Sequence, residues 1–257
     1  MPSTALTAII VVSVLASVLT VYRLWRAELF LKYRLFCLYF VCRTPYLAAP
    51  LFVSLNSSTY LYLWLAFQPL MWGFRVAVVV ELYRLILGRY RGLYTLGRWT
   101  MYVSTIAAIA LSILSLLPKF TPSMPQVSRL LGYFYAVDRG VDFSLVVFIF
   151  LILIFLSLYP VPVSRNAVVH ISLFTVYFLS STMALLLKSI TGTVLSDQIN
   201  LILSGATAVC TTGWLFLLTP KGERLPVRNP VIGPEHEQRV LRHLETLNAT
   251  LLRAARS

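Results

Sequence analysis

The residues in this sequence that are best suited to chemistry are charged side chains within long apolar runs. They are Arg43, Arg75, Glu81, Asp138 and Asp142. A charge inside a bilayer costs a few kcal/mol or more unless it is paired or hydrated, so each of them predicts a partner or a wet cavity. Asp138 and Asp142 lie one helical turn apart, where two carboxylates repel unless they bind a cation, share a proton or face an arginine.

Arg43 and Glu81 lie at similar depths on two helices that we predict to be consecutive and antiparallel. Arg43 is about 12 Å from the inner end of its helix at Leu35, and Glu81 is about 9 Å from the inner end of its helix at Leu87. The sequence therefore predicts a buried Arg43–Glu81 ion pair that fixes the second helix to the third. The alternative is that the pair belongs to a proton or substrate path.

Arg75 lies near the middle of the third helix, and Glu81 does not share its helical face. The nearest plausible acid is Asp142 on the fifth helix, so either this pair forms or a water-filled cavity reaches Arg75. With Asp138 and Arg139, which reaches Asp142 at a spacing of three, these residues form a candidate ligand site or cavity. The alternatives are a packing contact for Arg75 and solvated helix-entry charges for the two aspartates. An outward-facing site for a cationic or hydroxylated ligand would use the same carboxylates.

Composition places these charges in a membrane protein. The 257 residues are 58% hydrophobic and 12% charged, with a mean hydropathy of +0.80, whereas a soluble domain is about 45–50% apolar and about 25% charged. An ordinary cytosolic enzyme, a disordered chain and a disulfide-stapled secreted module are excluded. Seven runs are long enough to cross a bilayer, so we predict an all-α integral membrane bundle of seven transmembrane helices over residues 1–219. The runs are Thr4–Trp25, Leu35–Leu55, Thr59–Leu87, Trp99–Leu117, Leu130–Tyr159, Ala167–Leu187 and Ile199–Leu218.

Basic residues predict the orientation of the bundle and its lipid contacts. Of the 22 lysines and arginines, 16 fall on one predicted side of the bundle and four on the other. Because basic residues favour the cytoplasmic side, this bias predicts a protein of the cell inner (plasma) membrane with its N-terminus outside the cell and its C-terminus in the cytoplasm. Four arginines near the junction of the third and fourth helices alternate with aromatic residues. Beside a spanning helix this pattern indicates an anchor to anionic headgroups on the cytoplasmic side rather than binding to nucleic acid. These anchor residues are Arg84, Arg89, Arg91 and Arg98.

Residues 220–257 are predicted to form a cytoplasmic linker followed by a short amphipathic helix. Prolines and glycines exclude regular helix until Pro234, which suits a first helical turn. An apolar stripe then recurs at spacings of four, three and four, at Val240, Leu244, Leu247 and Leu251. Because a helix this short is marginal alone in water, we expect the stripe to contact the membrane surface, the bundle or a partner helix. A frayed, solvated tail is the alternative.

The sequence predicts no enzyme, no cofactor and no metal site. Seven-helix zinc hydrolases need several intramembrane ligands, and His170 is the only histidine in a spanning run. We therefore expect a non-enzymatic sensor or an accessory subunit of a membrane complex, with a membrane-protein partner or self-association. A small-solute or ion transporter that uses the buried charges is the alternative, and it would need a midplane site reachable from both sides.

Three short motifs suggest a relationship. Glu81-Leu82-Tyr83-Arg84, Tyr94-Thr95-Leu96-Gly97-Arg98 and Asp138-Arg139 together resemble a group of uncharacterised bacterial seven-helix inner-membrane proteins. The resemblance covers the membrane region and implies that architecture, without an activity. The layout also resembles the membrane input modules of bacterial sensor kinases.

Overall fold

A computed structural model describes residues 4–54, 57–88, 90–115, 126–158, 163–191, 195–223, 242, 245–246 and 248–250. The regular structure in these residues is entirely helical. It comprises α1 (Thr4–Arg26), α2 (Arg34–Phe52), α3 (Ser58–Leu87), α4 (Arg91–Leu114), α5 (Gln126–Leu158), α6 (Arg165–Thr191) and α7 (Ser196–Leu217), followed by a 3₁₀ turn at Pro220–Glu223.

Six of these helices are long and apolar enough to cross a membrane, namely all except α3. α3 is long enough, at 30 residues, but Arg75, Glu81 and Arg84 fall within its most apolar stretch. The composition therefore indicates a multi-pass membrane protein. Compared with the predicted runs, the largest difference is in α4, which begins at Arg91 instead of Trp99, so part of the predicted headgroup anchor belongs to the helix itself.

Contacts between the helices arrange six of them in a ring. α1 packs against α2 and α7, α2 against α3, α3 against α5 and α6, and α5 and α7 each against α6. α4 lies outside this ring against α3 and α5. We call the end of the bundle where α1 begins the amino end, and the end where α7 finishes the carboxyl end.

The seam between α4 and α5 is close because Gly140 has no side chain. A Cβ atom at this position would lie 2.8 Å from the Cα of Ile109, a separation that real Cβ atoms do not tolerate. Near the same level the hydroxyls of Thr105 and Ser144 are hydrogen-bonded at 3.0 Å. Small residues at a helix crossing let two backbones approach, and here they hold α4 against the ring.

Aromatic side chains fill the carboxyl half of the ring. The Phe36 ring packs edge-on against Phe40, His170 and Trp214, with centroids 4.6–5.4 Å apart, and Phe174 stacks with Phe178. All of these side chains are buried. Edge-to-face and offset contacts of this kind are the favoured geometries of aromatic pairs, so this half of the bundle is a packed core. His170 lies within this core.

The segment after α7 is fixed to two other parts of the chain by a cluster that we call the carboxyl-end latch. The Glu223 carboxylate forms an ion pair with Lys32 and accepts hydrogen bonds from the Tyr33 hydroxyl and the Asn166 amide, both at 2.5 Å. Asn166, at the start of α6, also donates to the Thr219 carbonyl at 2.8 Å. The predicted linker therefore begins with a docked turn that joins the α1–α2 connection to α6.

The latch changes the proton affinity of two of its members. Partial burial opposes the charge on Glu223, but the hydrogen bonds from Lys32, Tyr33 and Asn166 outweigh that cost and hold the pKa of this carboxyl below its ordinary value. Burial, together with the hydrogen bond to Glu223, raises the pKa of the Tyr33 phenol well above its usual range. Near neutral pH the carboxylate therefore accepts and the phenol donates.

The described residues of the tail are helical at 242, 245, 246 and 248–250. The side-chain oxygen of Asn248 accepts a hydrogen bond from the backbone N–H of Gly92 at 2.6 Å, so this part of the tail contacts the first turn of α4. The predicted stripe of Val240, Leu244, Leu247 and Leu251 lies outside the described residues.

Candidate ligand-binding cavity

A cavity of about 950 Å³ occupies the amino half of the ring. Every ring helix contributes to its wall and α4 does not, with lining residues such as Ser13, Tyr46, Trp64, Tyr135 and Ser204. The size lies at the upper end of the usual range for small-molecule pockets, about 300–1,000 Å³. Prolines inside α2 and α3, at positions 45, 50 and 69, fall in the same half, where each removes one backbone donor from its helix.

Arg75 joins α3 to α5 at the wall of this cavity. Its Nη1 atom lies 2.8 Å from an oxygen of Asp138 and 2.8 Å from an oxygen of Asp142. Asp142 is fully buried and Asp138 is 8% exposed. The Arg75–Asp142 pair, one of the two alternatives expected for Arg75, is therefore present. Three arrangements could relieve the repulsion between the two carboxylates: a bound cation, a shared proton or a facing arginine. The structure shows the third, with Arg75 as the arginine.

Further donors converge on the two aspartates from two helices, α3 and α6. One oxygen of Asp138 accepts from the Gln68 amide at 2.7 Å and from the Trp72 indole at 2.8 Å, both on α3. The second oxygen of Asp142 accepts from the Ser181 hydroxyl of α6. Charge-assisted hydrogen bonds are stronger than neutral ones, and their number here explains how two carboxylates stay buried one turn apart. The interpretation as solvated helix-entry charges was wrong.

Arg139 does not join this cluster. Its guanidinium turns toward α4, where it donates to the Ser115 hydroxyl at 2.7 Å and to the Ser112 carbonyl at 3.3 Å. The expected Arg139–Asp142 contact is replaced by the Arg75–Asp142 contact, because Asp142 points into the ring. Arg139 still lines the cavity, as do Arg75 and Asp138. The fourth predicted cavity residue, Asp142, is not part of the lining but contacts Arg75.

Arg43 lies at the inner wall of the cavity among aromatic rings. The carbon of its guanidinium is 5.4 Å from the Tyr39 ring centroid, 6.0 Å from that of Phe40 and 5.1 Å from that of Tyr177. The residue is 4% exposed, and its Nη1 atom has no hydrogen-bond partner among the described residues. Attraction to ring faces compensates part of the cost of burying a cation.

The predicted Arg43–Glu81 ion pair was wrong. Both oxygens of Glu81 are used at the start of α2, where they accept from the backbone N–H groups of Leu35 at 2.9 Å and Phe36 at 3.0 Å. These N–H groups have no partner within their own helix and carry its positive dipole end, so a carboxylate is stabilised there. Arg43 is eight residues, or about 12 Å, further along α2 and cannot reach.

Of the four arginines predicted to anchor lipid headgroups, Arg84 and Arg98 lie toward the carboxyl end and do not line the cavity. Arg84 is exposed, and the Arg98 guanidinium lies 5.6 Å from the Tyr94 ring centroid. Arg89 and the side chain of Arg91 are outside the described residues. The assignment of these four arginines as a lipid headgroup anchor stays a prediction.

Sequence reasoning missed Gln68, Trp72 and Ser181 as partners of the aspartates. A usable signal existed for two of them, because Gln68 and Trp72 precede Arg75 by seven and three residues and so share its helical face. Ser181 gave no signal, since its contact depends on how α6 packs against α5. The structure also shows no group of three or more His, Cys, Asp or Glu side chains that could hold a metal ion, within the described part of the chain.

Comparison with protein-family models, with characterised proteins and with solved structures found no match to this chain. The resemblance carried by the motifs at Glu81–Arg84, Tyr94–Arg98 and Asp138–Arg139 therefore stays a prediction, and the candidate site rests on its own geometry.

Proposed function

We propose that this chain is a seven-span membrane protein that binds a small ligand from the outer side, as a sensor and not as an enzyme. The observation that carries the proposal is the division of the ring into a cavity at the amino end and a packed aromatic core at the carboxyl end. A binding site in one half of the bundle, backed by a packed core in the other half, suits detection of a ligand from one side. Transport would need a second opening.

Two observations support the crossing of all seven helices with the amino end outside. α3 contacts α2 at two separate levels, through the Tyr46–Phe67 ring contact and through the hydrogen bonds of Glu81 with the start of α2. These levels are 14 residues apart on α3, or about 21 Å along its axis. A helix paired over that length with a spanning neighbour crosses with it. The excess of basic residues at the carboxyl end favours its cytoplasmic location in the cell inner membrane.

The sensor assignment also implies an output. Ligand binding in the amino half would change the packing of the ring, and the latch and the described tail residues lie at the opposite end. A protein of this kind acts through a membrane-protein partner or a second copy of the chain, as the sequence predicts. The transporter alternative is favoured by the depth of Arg75 and Arg43, which would lie on the path of a charged substrate.

Cysteine labelling tests the side from which the cavity is reached. In a background with its three cysteines replaced by alanine, Ser204→Cys places a thiol on the cavity wall. We expect a membrane-impermeant thiol reagent to label it in right-side-out cells but not in inverted vesicles. Ser157→Cys, at the carboxyl end of α5, is the matched serine control with the reverse preference. Labelling of Ser204→Cys from both sides would favour a transporter.

Reporter fusions test the topology separately. An enzyme that is active only in the cytoplasm should be active when fused after Arg98 and inactive when fused after Pro125. The reverse pattern would overturn the orientation.

A further inference from the structure

The cavity contains a buried cation whose charge is not neutralised by a carboxylate in the described residues. The groups around Arg43 are the rings of Tyr39, Phe40 and Tyr177, and the Nη1 atom of Arg43 has no hydrogen-bond partner there. A buried unpaired charge is costly unless something supplies the opposite charge. Aromatic faces offset part of that cost, but they cannot accept a hydrogen bond in the plane of the guanidinium.

Two further unpartnered polar atoms belong to residues that line the same cavity. They are the Oε1 acceptor of Gln68 and the Nε donor of Arg75. Gln68 is 2% exposed, and its amide nitrogen is already committed to Asp138. Buried polar atoms in folded proteins are nearly always paired with protein, water or ligand, so three open atoms around one cavity indicate a ligand with a polar, anionic head.

Arg139, Lys188 and Asp197 also line the cavity, but the charges beside Arg75 favour a head with a single negative charge. Arg75 is held by two carboxylates, so the Arg75–Asp138–Asp142 cluster carries a net charge of −1 when both acids are ionised. Arg75 and Asp138 of this cluster line the same cavity as Arg43, and the cluster repels additional negative charge. A carboxylate would neutralise Arg43, whereas a phosphate dianion would add an unpaired negative charge beside the aspartates.

The part of the cavity wall toward the amino end suits an apolar or aromatic body. Toward the amino end its lining includes Tyr46, Tyr60, Trp64 and Tyr135 with Leu61 and Leu131. Aromatic walls with a few convergent polar groups are typical of pockets for small organic ligands.

We propose that the cavity binds an amphipathic monocarboxylate, with its carboxylate on Arg43 and its apolar or aromatic body between the aromatic side chains of the amino half. The inference rests on the proposed function, because it names the ligand class of the same cavity. The carboxylate accepts from the free Nη1 of Arg43. Gln68 remains available to a hydroxyl or amine on the ligand.

Fluorescence titration of the purified 257-residue chain in detergent tests this ligand class. The probes are 4-phenylbutyrate, its neutral amide and inorganic phosphate, and Trp64 on the cavity wall serves as the reporter. We expect 4-phenylbutyrate to bind, the amide to bind about 10- to 100-fold more weakly, as loss of a charge-assisted hydrogen bond predicts, and phosphate neither to bind nor to compete. Trp64→Phe should remove most of the signal.

Variants at Arg43 test its role. Arg43→Gln should weaken 4-phenylbutyrate by about 10- to 100-fold while leaving the weak binding of the amide unchanged. Arg43→Lys keeps the charge and should give an intermediate loss. Arg26→Gln, an exposed arginine at the end of α1, is the matched control and should bind as the unmodified chain does. The comparison of acid with amide needs no variant, so it stands even where Arg43→Gln fails to fold.

Equal binding of acid and amide, phosphate binding in place of 4-phenylbutyrate, or full affinity in Arg43→Gln would each overturn the proposal. The proposed function fails by a different result, namely absence of outer-side labelling at Ser204→Cys. Labelling without 4-phenylbutyrate binding would leave the outward cavity and refute the ligand class. Binding without outer-side labelling would leave the ligand class and refute the sidedness.

Discussion

Removal of Arg75 should destabilise the bundle more than removal of either acid alone. Arg75→Gln leaves Asp142 fully buried with Ser181 as its remaining described donor. Breaking a buried ion pair by deleting one partner costs about 3–5 kcal/mol, because the other charge stays buried. For a chain of this size about 1 kcal/mol corresponds to about 2–4 °C in melting temperature, so we expect a loss of about 6–20 °C.

Asp142→Asn should cost less, because Arg75 keeps its contact with Asp138. The loss of charge on one acceptor corresponds to about 1.5–3 kcal/mol. The decisive variant is the double substitution. In the Arg75→Gln background, Asp142→Asn removes the orphaned carboxylate, so it should raise the melting temperature, with a coupling in the upper part of the about 0.5–3 kcal/mol range for contacting residues.

The assay is thermal unfolding of the four purified proteins in one detergent, followed by intrinsic fluorescence. Arg139→Gln is the matched control, since this neighbouring arginine bonds to neutral oxygens of α4 and should cost about 1 kcal/mol. If Asp142→Asn lowers the stability of the Arg75→Gln protein as much as it lowers that of the unmodified chain, the two groups are not energetic partners and the reasoning fails.

Three further predictions use the same unfolding measurement. Gly222→Ala should destabilise the latch by about 1–3 kcal/mol, because its Cβ would lie 2.2 Å from the Asn166 amide oxygen; Gly205→Ala, with open space around it, should lose nothing. Glu81→Gln should cost about 1.5–3 kcal/mol and be additive with Arg43→Gln to within about 0.5 kcal/mol, whereas a larger coupling would restore the rejected ion pair. Folding lowers the pKa of Glu223, so the ionised carboxylate stabilises the folded state fully when the pH is above the ordinary pKa near 4.5. This stabilisation is lost as the pH falls through the lower pKa of the folded state. The pH dependence should therefore steepen below about 4.5 and flatten in Glu223→Gln, and an unchanged profile in that variant would contradict the latch.

The Arg75–Asp142 contact could be predicted because one strong constraint acts on it. A charge in the middle of an apolar helix needs an opposite charge within reach of its side chain, and few acids qualified. The same counting failed for Arg43 and Glu81, because depth fixes the height of a side chain but neither the side of the helix from which it projects nor its competitors. Glu81 had a nearer partner in the unpaired N–H groups at the start of α2. Backbone groups of this kind are not indicated by any residue type in the sequence.

The helical architecture followed from composition, since long apolar runs in a bilayer must satisfy their own backbone hydrogen bonds. The latch could not be predicted in the same way. Glu223 stands in a stretch of proline and glycine that is typical of a linker, and its partners Lys32 and Tyr33 lie 191 and 190 residues away. No periodic pattern connects residues so far apart, and their contact depends on the closure of the whole ring.

That separation orders the assembly of the protein during synthesis. Glu81 finds its N–H partners 46 residues earlier in the chain, so the α2–α3 pair can be completed while the ribosome is still making α4. Lys32 and Tyr33, in contrast, wait for Glu223, which at about 5–20 residues per second arrives roughly 10–40 s later. The latch is therefore the last contact of the ring to form. Before it forms, the contacts between α1 and α7 at that end are, within the described residues, the Arg23 hydrogen bond to the Leu215 carbonyl and the packing of the two helices. A nascent chain arrested before residue 223 would contain all seven of these helices but would lack this contact at the carboxyl end of the ring.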